Sequence, residues 1–141
     1  MTQDTKVEPP RPEPDELTQP FWDGCREHKL MIQRCQDCGT YIHYPRPVCS
    51  NCLSTKLAME EVSGRGTLYS YTVVIQPFHP YYVDKVPYLL GTIELAEQPK
   101  LMFFTRLTGC TEDDVKIGMP MHVTFEEAAD DLTFALFEPA K

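Results

Sequence analysis

The chain has 141 residues, enough for one ordinary domain or two small ones, and 42% of them are hydrophobic, which provides for a core and excludes a disordered polymer. Thirteen basic against 21 acidic residues give a formal charge of -8, which argues against a protein whose main task is neutralising nucleic-acid phosphates. No apolar run approaches the roughly 20 residues of a membrane-spanning helix, and Met1-Thr2-Gln3-Asp4 lacks the charged start and apolar stretch of a secretory signal, so the expectation is a soluble, cytoplasmic protein.

Residues 1–19 are acidic and proline-rich (Pro9, Pro10, Pro12, Pro14), with Val7 and Leu17 the sizeable apolar residues. Such a segment cannot repay its ordering entropy, and a disordered tail is expected there. A short helix is predicted from Thr18, as N-cap, to about His28, with Pro20 in its first turn and Gly24 weakening it. Leu30–Arg34 and Tyr41–Tyr44 read as short strands flanking a cysteine turn, and Pro45 and Pro47 hold the chain extended after them.

Cys35-Gln36-Asp37-Cys38 and Cys49-Ser50-Asn51-Cys52 are two CxxC pairs separated by ten residues. Each such turn aims two thiolates at one point, and two of them make a tetrahedral four-sulfur cage suited to zinc or iron, with zinc the default in the absence of a redox signal. Gly39 permits the bend after the first pair. A disulfide framework does not suit a chain of this class, and a thioredoxin-like site needs an alternating α/β pattern. Four thiolates close the coordination shell, so the expected metal is structural. Residues 20–60 thus read as a helix and zinc ribbon.

The rest, 61–141, reads as strands with a period of two: Thr67–Gln76, Tyr88–Ala96, Leu101–Leu107, Met121–Glu126 and Leu132–Phe137. In the first, Tyr69, Tyr71, Val73 and Ile75 share one face; in the second, Leu89, Gly91, Ile93 and Leu95 do. Five strands of this length suit a small closed barrel, which leaves no exposed edge. The long connection Gln76–Pro87 carries Phe78, Tyr81 and Tyr82, and loops of this length in small domains are often functional.

A complete catalytic set is not found in the sequence. Cys25 and Cys110 read as small packed side chains, His79 between two prolines as a turn residue, and His122 as part of a solvated strand face. Lys29, Arg34, Arg46, Lys56, Arg65 and Arg106 are the bases around the ribbon and early strands, of which Arg46 stands out because Pro45 and Pro47 flank it.

Taken in order, Pro20-Phe21-Trp22, the two CxxC knuckles with Tyr44-Pro45-Arg46-Pro47 between them, Gly64-Arg65-Gly66-Thr67, Val86-Pro87-Tyr88 and Ile117-Gly118-Met119-Pro120 form a pattern. It resembles the zinc-ribbon plus OB-fold family associated with acyl-CoA metabolism, long labelled a domain of unknown function, over about residues 18–139. The resemblance implies a mainly β fold: an N-terminal helix and rubredoxin-like zinc ribbon followed by a five-stranded OB-fold barrel. It implies structural zinc on Cys35, Cys38, Cys49 and Cys52. It further implies a non-catalytic accessory subunit that binds acyl-CoA and completes a complex with a thiolase-fold enzyme (a thiolase, an acyltransferase or a steroid side-chain aldolase) which supplies the nucleophile. Arg46, Arg65, Phe78, His79, Tyr81 and Tyr82 are the candidate CoA or partner contacts. The chain is more acidic than an independent CoA site would be, which suggests that the partner supplies charge for the phosphates. The alternative is a single-stranded nucleic-acid module, since ribbon and OB domains also serve there; such a groove is basic, whereas residues 61–141 hold twelve acids and six bases. A free-standing hydrolase using Cys110 or His79 lacks a recognisable base and oxyanion site.

Overall fold

The computed structural model describes residues 8–140, so the expectation for residues 1–7 lies outside the described part. Residues 8–18 run as irregular chain against the barrel, with Pro9 buried and the Arg11 guanidinium 2.8 Å from the Asp131 carboxylate. Helix α1 spans Gln19–Arg26 with Pro20 in its first turn. Thr18 is the N-cap residue, but its hydroxyl does not cap the helix. It accepts instead from the Asp15 amide, while the Asp15 carboxylate accepts from the amides of Leu17 and Thr18. Gly24 has a packing reason to be there: a Cβ would strike the Met31 side chain and press on the Lys29 carbonyl. The helix passes this close because His28, in the left-handed region (φ 60°), turns the chain straight back.

Three antiparallel strands follow, β1 (Met31–Cys35), β2 (Tyr41–Ile42) and β3 (Leu57–Glu61), in the order β2-β1-β3. The third was not anticipated. Its burial lacks a clean alternation, as an edge strand's does when only one neighbour supports it. The remaining strands are β4 (Arg65–Val74), β5 (Tyr88–Leu95), β6 (Met102–Leu107), β7 (Pro120–Ala129) and β8 (Leu132–Pro139). They form a closed barrel in the order β4-β5-β6-β8-β7, with β4 pairing back onto β7 and β6 meeting β8 in parallel at Leu107 and Phe137. The five expected strands and their closure are all present.

Strand β5 alternates as predicted, burying Leu89, Gly91, Ile93 and Leu95. Strand β4 does not keep one face. A bulge falls between Leu68 and Ser70 in the pairing with β5. An extra residue flips the alternation: Gly66 and Leu68 point inward before the bulge, Tyr71 and Val73 pack on the core after it, and Tyr69 is exposed. One apolar core runs through barrel and helix. Phe137, Ile93, Leu68 and Met121 share it with Cys25 of α1, Ile32 of β1 and Leu30 between them, which fixes the ribbon to the barrel. A Gly66 Cβ would collide with the backbone and side chain of β5, so this glycine lets the strands close.

Candidate metal centre and ligand groove

The two CxxC turns repeat one local geometry. In the first, the Gly39 amide donates to the Cys35 carbonyl (3.0 Å) and the Cys35 amide to the Thr40 carbonyl (2.9 Å). In the second, Leu53 donates to Cys49 (3.0 Å) and Cys49 to Ser54 (2.9 Å). The residue after each second cysteine is left-handed, Gly39 at φ 80° and Leu53 at φ 65°. The glycine marks the first turn in the sequence, whereas the Leu53 side chain gives no sign of the turn it makes.

The four sulfurs of Cys35, Cys38, Cys49 and Cys52 lie within 4.8 Å of one another, with Cys35 to Cys52 at 3.6 Å and Cys38 to Cys49 at 3.7 Å. A tetrahedron with zinc–sulfur arms of about 2.3 Å has edges of about 3.8 Å, so the donor set fits that ion. Backbone amides of Cys38 and Asn51 point at the sulfurs of Cys35 (3.4 Å) and Cys49 (3.3 Å). The Asn51 side-chain amide, with Thr40 beside it, pushes the Cys38 thiol down to about 5. The Cys38 amide likewise lowers Cys35. Cys52 is carried up to about 12: the Ser54 amide favours its thiolate, but the neighbouring cysteine sulfurs and burial outweigh it. Four thiols this close cannot all ionise alone, and a cation resolves their repulsion.

Between the knuckles, Arg46 is held through its backbone. Gln33, buried on β1, accepts from the Arg46 amide and donates to its carbonyl, both at 2.8 Å, and the arginine side chain projects outward exposed. The expected rigidity at Arg46 therefore rests on Gln33 as well as on the two prolines. Gln33 escaped notice because a glutamine in a short strand reads as surface.

An apolar groove of about 510 Å³ lies where α1, the 43–45 segment and the barrel strands β5, β6 and β8 meet. Phe21, Trp22, His43, Phe103 and Phe134 form its aromatic surface: Trp22 is edge-on to Phe21 (5.2 Å) and Phe134 (6.4 Å), and His43 stacks on Phe103 (5.0 Å). Burial pushes the His43 imidazolium down to about 4. At one end Arg106, 15% exposed, is 2.6 Å from the Glu126 carboxylate and lies over the Tyr82 ring. The composition concealed this groove, since its walls come from widely separated stretches of chain.

Of the six candidate contacts, Tyr82 lines the groove and Tyr81 packs edge-on against it (5.1 Å). His79 accepts the Tyr81 amide on Nδ1 (3.1 Å) and so starts the turn that carries both tyrosines. Phe78 is 87% exposed beside them. Arg46 follows Pro45, which lines the groove, while Arg65 lies apart, on β4 near Gln98 and Pro99. Tyr81 borders a second depression, of about 840 Å³, rimmed by Glu8, Asp84, Glu126, Glu127, Asp130 and Asp131 against Arg11 and Lys85. Cys25 is buried and its thiol is pushed up to about 12; burial, with Asp114 nearby, raises Cys110 as well. Neither is an activated nucleophile. No helix among the described residues is long and apolar enough to cross a membrane.

Residues 22–58 match the family described as the rubredoxin-like zinc ribbon domain of ChsH2, and residues 59–126 match its C-terminal OB-fold domain. A probable enoyl-CoA hydratase alpha subunit of Thermomonospora curvata is 38% identical over 121 residues, 85% of this chain. The chain spans 37% of that relative's length. A DUF35 domain-containing scaffold protein of Methanocaldococcus jannaschii is 31% identical over 83% of this chain and 82% of its own. Among solved structures, an Ltp2-ChsH2(DUF35) aldolase contains a chain that superposes with a TM-score of 0.84 at 34% identity, covering 93% of this chain and 100% of that one.

Proposed function

The chain belongs to the ChsH2 (DUF35) family of joined zinc-ribbon and OB-fold domains, and on that premise we propose that it is an accessory subunit of a thiolase-fold enzyme acting on acyl-CoA thioesters. The observation that carries this reading is the match along a whole chain of a two-protein aldolase, at 34% identity. The aldolase belongs to that assembly; for this chain the partner class is our inference.

The chemistry of the chain agrees. Its four-cysteine cage leaves a tetrahedral ion no open position, so zinc there supplies rigidity and no Lewis-acid step. The remaining thiols are protonated and packed. The reacting groups therefore come from the partner, and this chain positions the thioester and shields it from water. The hydratase relative is similar over 37% of its length, so hydration is not assigned to this chain. Nor does a nucleic-acid role fit: the larger depression presents six carboxylates against two bases, the wrong sign for a phosphate backbone.

The test is co-expression with thiolase-fold proteins of the same cell. We expect one of them to co-purify in a fixed ratio and to gain stability or thioester turnover in the complex. Recovery of nucleic acid with no such partner overturns the reading.

A further inference from the structure

Two polar side chains of the apolar groove are already paired, and a third, Glu13, is a carboxylate. Arg106 is committed to Glu126 at 2.6 Å, the Thr105 hydroxyl donates to the Ala135 carbonyl at 2.5 Å, and the rest of the surface is mainly aromatic and aliphatic. Its volume of about 510 Å³ falls within the roughly 300–1,000 Å³ usual for small-molecule sites. A groove of this kind offers an anion nothing and an apolar group a great deal of surface to cover. Tyr44 and Phe104, 62% and 51% exposed, stand on its rim and leave it open to solvent.

The surroundings give it a direction. Glu126, the partner of Arg106, also lines the depression rimmed by carboxylates, so phosphates near the Tyr82–Arg106 end meet like charge. Pro45, on the groove's lining, leads directly to Arg46, whose backbone Gln33 clamps and whose exposed guanidinium makes no hydrogen bond or ion pair among the described residues.

We infer that this groove holds the apolar acyl portion of a thioester, with the nucleotide portion leaving past Tyr44 and Pro45 toward Arg46. The ligand class rests on the reading proposed above; the place and the polarity are carried by the groove itself. On this inference the chain recognises what is attached to CoA more than CoA.

Trp22 is the chain's one tryptophan and lines the groove, so its fluorescence reports occupancy. The zinc-loaded full chain is titrated with dodecanoyl-CoA, dodecanoate and CoA. The two acyl probes should give a saturable change, and CoA none. Phe104→Asp and Tyr44→Glu, both at exposed positions, should each weaken the acyl probes roughly tenfold, about 1.4 kcal/mol, with circular dichroism confirming the fold. Arg46→Glu should weaken dodecanoyl-CoA and leave dodecanoate unchanged. CoA binding as tightly as dodecanoyl-CoA, no saturable change with either acyl probe, or acyl binding indifferent to both rim variants overturns the inference. If the rim variants instead abolish co-purification while the parent binds no acyl probe, the groove is a protein interface and the inference is wrong. Co-purification is read separately: acyl binding without a partner sinks the accessory-subunit reading alone, and a partner without acyl binding sinks this one alone.

Discussion

Around the four cysteines the buried side chains are Cys35, Ile42 and Cys49, with Leu57 packed beside them, whereas the barrel encloses Leu68, Ile93, Leu95, Phe103, Met121 and Phe137 in one continuous core. A fully buried side chain of that kind contributes about 1.5–3 kcal/mol, so the barrel has its own driving force and the knuckles have almost none. Structural zinc in small ribbons binds with roughly 10–16 kcal/mol, enough to replace a core. Two neighbouring regions of one chain thus rest on different physics, hydrophobic burial in one and coordination in the other. They are joined because Ile32 belongs to the barrel's core while Cys35, on the same strand, belongs to the metal's.

The strongest way to break this comparison is to remove the ion. A chelator at neutral pH should strip amide protection from residues 35–54, by several kcal/mol on the scale of the ion's binding energy, while β4 to β8 keep theirs. The boundary should fall inside β1, after Ile32. Hydrogen exchange read by mass spectrometry locates it. Uniform loss of protection through the barrel would show that the ion supports the whole molecule and that the two regions are energetically one.

The same contrast explains what the sequence discloses. The metal centre is legible because its chemistry is local: four cysteines at fixed spacing state both the ligands and the geometry. The barrel is legible because period-2 burial is local too, and β5 follows it without exception. What escapes is assembled at a distance. Trp22, His43, Phe103 and Phe134 become one surface only when α1, the 43–45 segment, β6 and β8 are in place. The bulge at Tyr69 is invisible for the same reason, since it depends on how β4 registers against β5. Of the candidate contacts chosen from loop position and charge, Tyr82 lines the groove and Arg65 is remote from it.

His43 tests the seam between the regions. It follows β2 and stacks on Phe103 of β6, and burial holds its pKa at about 4 against an ordinary value of about 6.5. A depressed histidine pKa means that the unfolded chain binds the proton more readily, so stability is full above about 6.5, falls as the pH drops, and levels off near 4. The difference is worth about 3 kcal/mol over that window. His43→Phe keeps a ring against Phe103 and removes the proton site, so its denaturation profile should lose this part of the acid dependence. Parallel profiles for the two proteins would mean that the seam opens before His43 is protonated.

The smallest effect sharpens the comparison within the metal centre itself. The two knuckles share their hydrogen bonds and the left-handed residue after the second cysteine, yet one carries Gly39 and the other Leu53. Leu53 is 75% exposed, so its side chain contributes little burial to offset a backbone conformation that costs a non-glycine residue about 1–2 kcal/mol. Glycine relieves that strain but loses about 0.5–1 kcal/mol to the greater freedom of its unfolded chain. Leu53→Gly should therefore stabilise the zinc-bound protein by a few tenths to about 1 kcal/mol, whereas Gly39→Leu should destabilise it. Opposite signs from exchanging the same two residues at matching positions follow if the backbone turn governs both knuckles. A loss from Leu53→Gly would instead place the leucine side chain in a contact that matters, such as one covered by a partner.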